Sequence, residues 1–196
     1  GSVRGGAWSS PTAAGDLYVE VPLRGRFGEE VFPLGVREAL EFAAQRGVEH
    51  VVFTVDSPGG HLWVADEIAA AMRDYDERLT YHAVVTEAMS AAIWPVFACD
   101  TIHFLPGSSI GAVAGQIAWA AAAKGHNTVL ARAMVQQEAS ACYRVAEEGR
   151  VMIADVLPEE GTSGVIVLDT PESVLTLAWD EAVRVGLGEA IQGGAQ

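Results

Sequence analysis

The sequence predicts an α/β domain built on a parallel sheet, and three observations predict it. From Leu17 to Leu105 short apolar strands alternate with segments of helical spacing, the order expected when crossover helices link parallel strands. Val51-Val52-Phe53-Thr54-Val55 is almost continuously apolar, as befits a strand buried on both faces of such a sheet. Glycine and proline then mark the strand ends, at Arg24-Gly25, Asp56-Ser57-Pro58-Gly59-Gly60 and Pro106-Gly107.

The elements follow in order. Leu17-Tyr18-Val19-Glu20-Val21 alternates and reads as a first strand. Pro33 opens a helix with Val36, Leu40, Ala43 and Ala44 on one face, and Gly47 ends it. After the Val51–Val55 strand, Val64, Ile68 and Met72 stack on one face of a second helix. Tyr81–Val85 is the next strand, Ser90–Ala98 the next helix, and Thr101–Leu105 a short strand closing at Pro106-Gly107. Gln116–Ala123 and Thr128–Val135 read as helices around Gly125-His126-Asn127. Glu138–Val156 reads as a hairpin turning at Glu147-Glu148-Gly149-Arg150. Gly164–Asp169 and Val174–Ala178 are short strands, and Asp180–Val185 is a last helix before Gly186. Residues 1–16 are rich in glycine, serine and alanine and read as a flexible arm, which leaves 17–196 as a single domain. The leading Gly1-Ser2 reads as a cloning remnant.

Composition narrows the function. A chain of 196 residues holds one domain with a real core. Its formal charge of −14 argues against nucleic acid or an anionic membrane surface, because binding there needs clustered Lys and Arg. The most apolar run, Ala112 to Ala123, is too short to span a bilayer, so no anchor is expected in the chain. Cys99 and Cys142 have no metal spacing, and Cys99 reads as a small core residue. His50, His61, His82, His103 and His126 show no mutual spacing that suggests a metal site, and no cofactor is expected.

Two loops can carry chemistry, because both sit at the carboxyl ends of strands, where ligands gather in such sheets. In Ser57-Pro58-Gly59-Gly60 adjacent glycines leave backbone N–H groups uncovered, so the turn can hold an oxyanion; it can equally be a tight strand-to-helix turn. Ser90 opens a helix and can be its N-cap. Ala88, Ala91 and Ala92 keep it uncrowded, however, so a carbonyl could approach and the Ala91 N–H could join the glycines around the developing charge.

Three successive motifs, Val55-Asp56-Ser57-Pro58-Gly59-Gly60, Ala88-Met89-Ser90-Ala91-Ala92 and Pro106-Gly107-Ser108-Ser109-Ile110-Gly111-Ala112, resemble those of ClpP-class serine peptidases. Within that class the chain looks most like the NfeD-type membrane-associated proteases and signal peptide peptidase A, from about Leu17 to Ile191. The resemblance implies a ClpP/crotonase-like spiral of ββα units. It implies Ser90 as nucleophile and the Gly59, Gly60 and Ala91 amides near the oxyanion. It also implies an extended, rather apolar peptide or protein substrate, a homo-oligomer, a possible membrane-protein partner, and a membrane-associated or extracytoplasmic setting.

A serine needs a base within hydrogen-bond reach. Position 115, where the Clp proteolytic subunit's histidine spacing falls, is glycine. In the NfeD-type and signal-peptide-peptidase relatives the base is a lysine, and Lys124 is the only lysine here, so a Ser-Lys dyad must use it. Its place differs from theirs: the family's lysine precedes a helix, whereas Lys124 follows one, and only 13 residues lie between Gly111 and Gly125. An alignment without a gap puts Arg132 there, and arginine does not act as a neutral base. The competing reading of Lys124 is a cation at a helix C-terminus. Two other functions stay open: a catalytically silent scaffold that binds a peptide or membrane protein, and a crotonase-type acyl-CoA enzyme. The latter needs a phosphate grip that a single lysine in a chain of −14 charge does not offer.

Overall fold

The computed structural model describes residues 4–8, 16–112, 118–146, 149–160 and 162–191. Four parallel strands make its centre: β2 (Asp16–Arg24), β3 (His50–Ser57), β4 (Thr80–Met89) and β5 (Thr101–Gly111), side by side in that order. The crossovers between them are α1 (Pro33–Arg46), α2 (Leu62–Asp74) and a short segment in which a 3₁₀ turn, Ser90–Ala92, leads into α3 (Ile93–Phe97). Smaller elements complete the chain: β1 (Arg4–Trp8), α4 (Ala118–Ala123), α5 (Thr128–Ala133), β6 (Ala141–Val145), β7 (Val151–Ala154), β8 (Val165–Asp169), β9 (Thr176–Ala178), α6 (Trp179–Arg184) and β10 (Glu189–Ala190). β10 adds a parallel edge to β5, and β9 pairs antiparallel with its carboxyl half. β6, β7 and β8 form a separate antiparallel sheet.

Where expectation and structure differ, tertiary pairing is the cause. Part of the stretch expected as an arm, Arg4–Trp8, is a strand antiparallel to β2; residues 1–3 and 9–15 lie outside the described residues. β5 does not stop at Pro106-Gly107 but runs on to Gly111, because Ser109–Gly111 pair with β4 on one side and β9 on the other. The β6–β7 hairpin forms as expected, with part of its turn, 147–148, outside the described residues. The start expected for α4, residues 116–117, also lies outside them.

Alternation explains the core. Val19, Val21 and Leu23, Val51, Phe53 and Val55, Tyr81, Ala83 and Val85, and Ile102 and Phe104 project to one face and are all buried. α1 meets that core with Val36, Ala39, Leu40 and Ala43, and α2 with Val64, Ala65, Ile68 and Met72. Ala44, expected on the inner face of α1, is only half-buried. Two register shifts interrupt the ladders near the carboxyl ends: Thr86 of β4 is the extra residue between the Val55/Val85 and Asp56/Glu87 pairs, and β4 and β5 fall out of step between Val85/Phe104 and Glu87/Ser109. Such bulges re-aim the turns that follow.

The opposite face holds a polar row that the sequence did not reveal. His50 Nδ1 lies 3.0 Å from His82 Nε2, His82 Nδ1 lies 2.7 Å from Thr101 Oγ1, and Thr101 Oγ1 lies 3.0 Å from His103 Nε2. Histidines 32 and 21 positions apart thus meet because parallel register stacks them on one face. Among the described residues no three metal-ligating groups converge, so the row is a hydrogen-bonded one. Burial, then the neighbouring His50 and His103, push His82 down to about 4, and burial likewise lowers His103. A histidine held neutral in the fold, against an unfolded value of 6.5, stabilises fully above 6.5, and that stabilisation is lost as pH falls toward 4. Urea unfolding at pH 7.5 and pH 5 should therefore show an acid loss of which about 2 kcal/mol disappears in His82→Gln. Equal acid losses in the two proteins would remove His82 as its source.

Candidate active site

Ser90 stands where β4 ends. Its φ of 51° places a non-glycine residue in the left-handed region, which costs about 1–3 kcal/mol and must be held by its surroundings. The holder is a second residue of the same kind: Ser90 N–H donates to the Ala112 carbonyl at 3.0 Å, and Ala112 has φ 44°. Ala112 N–H donates in turn to Leu175 O, and Leu175 N–H to Ala133 O, both at 3.0 Å. The strained turn is thus anchored through the end of β5 to the segment before β9 and to the end of α5. Ala88, Ala91 and Ala92 are fully buried, so nothing bulky shares the turn. Ser90 is half-buried, and its Oγ has no hydrogen-bond partner among the described residues.

The glycine turn lies directly against it. A Cβ on Gly59 would stand 2.6 Å from Ser90 Cβ, 2.6 Å from Met89 O and 3.0 Å from Ala91 N, and its φ is 96°. Only glycine fits there. Gly59 N–H is already committed, donating to Ser57 Oγ at 3.0 Å. Gly59 O accepts from Phe27 N–H at 2.9 Å. A trans peptide points its C=O and N–H in opposite directions, so Gly60 N–H faces away from Phe27. Phe27 follows β2 and Ser90 follows β4, with the glycine turn between them at the end of β3, so that direction is the side of the turn on which β4 lies. Among the described residues nothing accepts from Gly60 N–H. Of the three amides expected at an oxyanion, Gly59 N–H is thus taken up by Ser57 Oγ.

Lys124 stands at the other end of the sheet. It follows α4, and its Nζ binds Asp100 Oδ1 at 2.8 Å and Asp76 Oδ1, with the Tyr81 ring centre 5.5 Å away. Asp100 Oδ2 accepts from Tyr81 N–H at 2.7 Å, which fixes the cluster at the amino end of β4. From Tyr81 to Met89 the strand spans about 25 Å at about 3.3 Å per residue, and Ser90 lies beyond that far end. Burial alone would lower the lysine's pKa, but the bonds to Asp100 and Asp76 outweigh it and the net shift is upward. A serine's base needs the reverse. Arg132, the other cation considered, is paired with Asp155. Residues 113–117, within the short stretch between Gly111 and Gly125, lie outside the described residues. Sequence reading also missed Ser57, whose hydroxyl is buried in the turn, and Ala112; neither has a signature without its partner.

Lys124→Ala should therefore leave the reaction of Ser90 with a fluorophosphonate within about twofold of the unmodified chain. It should destabilise the fold by about 2 kcal/mol, since it leaves Asp100 and Asp76 without their cation. Labelling and urea midpoints on one sample check both, and a stable variant with unreactive Ser90 would reverse the assignment.

Comparison with known proteins places this geometry. No family profile matches the chain, and no curated protein does. Solved structures do. A serine-to-alanine variant of the 1510-N membrane-bound stomatin-specific protease superposes with a TM-score of 0.62 at 16% identity, covering 90% of this chain and 79% of that one. An asparagine-to-aspartate variant of ClpP1 from Listeria monocytogenes gives 0.57 at 16% identity over 89% and 91%. The 1510-N membrane protease specific for a stomatin homolog from Pyrococcus horikoshii gives 0.54 at 15% identity over 90% and 73%. With the parallel sheet, the glycine turn and the Ser90 turn in these positions, the chain has the ClpP-class serine protease fold.

Proposed function

We propose that the chain is a serine peptidase-like domain acting on extended, apolar peptides, with Ser90 as nucleophile. The observation that carries this is the strained Ser90 turn packed directly against Gly59, with the next amide, Gly60 N–H, turned away from Phe27 and without an acceptor among the described residues. Ser90 Oγ attacks the peptide carbonyl carbon, its proton passes to a base, and the carbonyl oxygen takes the negative charge between the Gly60 and Ala91 amides. The C–N bond then breaks, the amine leaves with a proton, and water hydrolyses the ester on Ser90. One such backbone donor is worth about 10²–10³ in rate. Leu62 and Trp63 are exposed just beyond Gly60, an apolar flank for a substrate. The 1510-N structures are of proteases specific for stomatin or a stomatin homolog, which supports a protein segment as the substrate class. Among the described residues no helix is long and apolar enough to cross a membrane.

A second reading, a silent scaffold that binds without cleaving, is favoured by one observation: the lone lysine is bound to two aspartates at the far end of the sheet. Fluorophosphonate labelling separates the two. Ser90 should be the serine modified, and Ser90→Ala should abolish modification. Gly59→Ala should slow it by more than about 10², because the new methyl displaces Ser90. An inert Ser90 in a folded chain leaves the scaffold reading.

Self-association belongs to the same proposal. The β6–β8 sheet exposes Val145 and Ile166 on one face and Met152 and Val167 on the other, more apolar surface than a small sheet keeps in water. Sedimentation should show a dimer or larger species that weakens when Ile166 and Val167 are changed to Ser and Thr. A monomer at every concentration would count against assembly and leave the fold untouched.

A further inference from the structure

Ser57 is fully buried, and its hydroxyl is used in a fixed sense. It donates to Gly25 O at 2.7 Å and accepts from Gly59 N–H at 3.0 Å. A carbonyl only accepts and an amide only donates, so the proton's position is settled without alternatives. Around it Gly25 N–H donates to Asp56 O at 3.0 Å, Phe27 N–H to Gly59 O at 2.9 Å, and His61 N–H to Phe27 O at 2.9 Å. Residues 25–27 are thereby laced along residues 56–61.

Two rigid peptide planes meet at the Gly59 Cα. The plane on its amino side is held by Ser57 Oγ, and the plane on its carboxyl side by Phe27 N–H. Glycine is the residue least able to hold such an arrangement by itself. The second plane carries the Gly60 N–H. We infer that Ser57 is a positioning residue: its hydroxyl keeps Gly59 N–H out of the site and fixes the turn so that Gly60 N–H meets the carbonyl attacked at Ser90. This rests on the reading of Ser90 as nucleophile. Without the hydroxyl, Gly25 O and Gly59 N–H are left unpaired in a buried place, and the turn must rotate to satisfy them.

Ser57→Ala tests this by two readouts. The first is amide hydrogen exchange at Gly59 and Gly60. The second is fluorophosphonate labelling of Ser90, resolved into the rate at saturating probe and the apparent probe affinity. Gly59 should exchange at least about 10-fold faster, and the saturating rate should fall about 10- to 100-fold with the affinity unchanged. Ser57→Thr, which keeps the hydroxyl, should recover the rate. Unchanged exchange and an unchanged saturating rate in a folded Ser57→Ala chain would overturn the inference. Should that variant fail to fold, Ser57→Cys, whose thiol is a weak donor and acceptor, is read in the same way: slower labelling supports the role and a native rate overturns it. If Ser90 of the unmodified chain does not label at all, the nucleophile reading fails instead, and exchange at Gly59 still decides whether Ser57 holds the turn.

Discussion

Gly59 and Ser90 cannot both carry side chains where they stand. A Cβ on Gly59 would overlap the Ser90 Cβ and the Met89 carbonyl, so the approach of the β3 turn to the β4 turn depends on that missing carbon. Everything else at the carboxyl end follows from the approach. Ser90 takes a left-handed backbone, and Ala112 takes a matching one to accept its N–H. Strain of about 1–3 kcal/mol at each residue is tolerable because the anchoring chain runs through backbone hydrogen bonds to β9 and α5 rather than through mobile side chains. A nucleophile held this way loses little freedom when a substrate arrives.

The two ends of the sheet solve different electrostatic problems. At the amino end Lys124, Asp76, Asp100 and Tyr81 form a charged cluster that ties α4 to the start of β4. Its pairing keeps the lysine an ammonium, which suits a fastener and not a base. At the carboxyl end the polar groups around Ser90 are backbone amides, whose direction is set by the fold and whose charge does not change with pH. Also near the amino ends, the histidine row spans β3, β4 and β5 on the face away from α1 and α2, linked by hydrogen bonds.

Much of the fold was legible because each strand and helix announces itself locally. Pro33 and Gly47 bracket α1, the apolar run Val51–Val55 becomes β3, and Gly59 and Gly60 lie just past the end of that strand. Ser90 was legible too, through the small residues around it. The length of β5 was not, since Pro106-Gly107 reads as a stop and only pairing with β4 and β9 carries the strand past it. Strand β1 was hidden for the same reason: a glycine-rich segment has no strand signal until β2 offers an edge.

By itself the sequence determined the alternation of elements, the residue types at the two turns, and the fact that one lysine would have to serve any dyad. Only the tertiary structure decided which groups those residues face. It set Lys124 against two aspartates at the opposite end of a strand from Ser90, and it committed Gly59 N–H to Ser57. It also turned Gly60 N–H away from Phe27 and brought three distant histidines into one row. The physical reason is common to all four. Periodicity and turn chemistry act over a few residues, whereas the direction of a donor or the partner of a charge depends on register between strands distant in the chain.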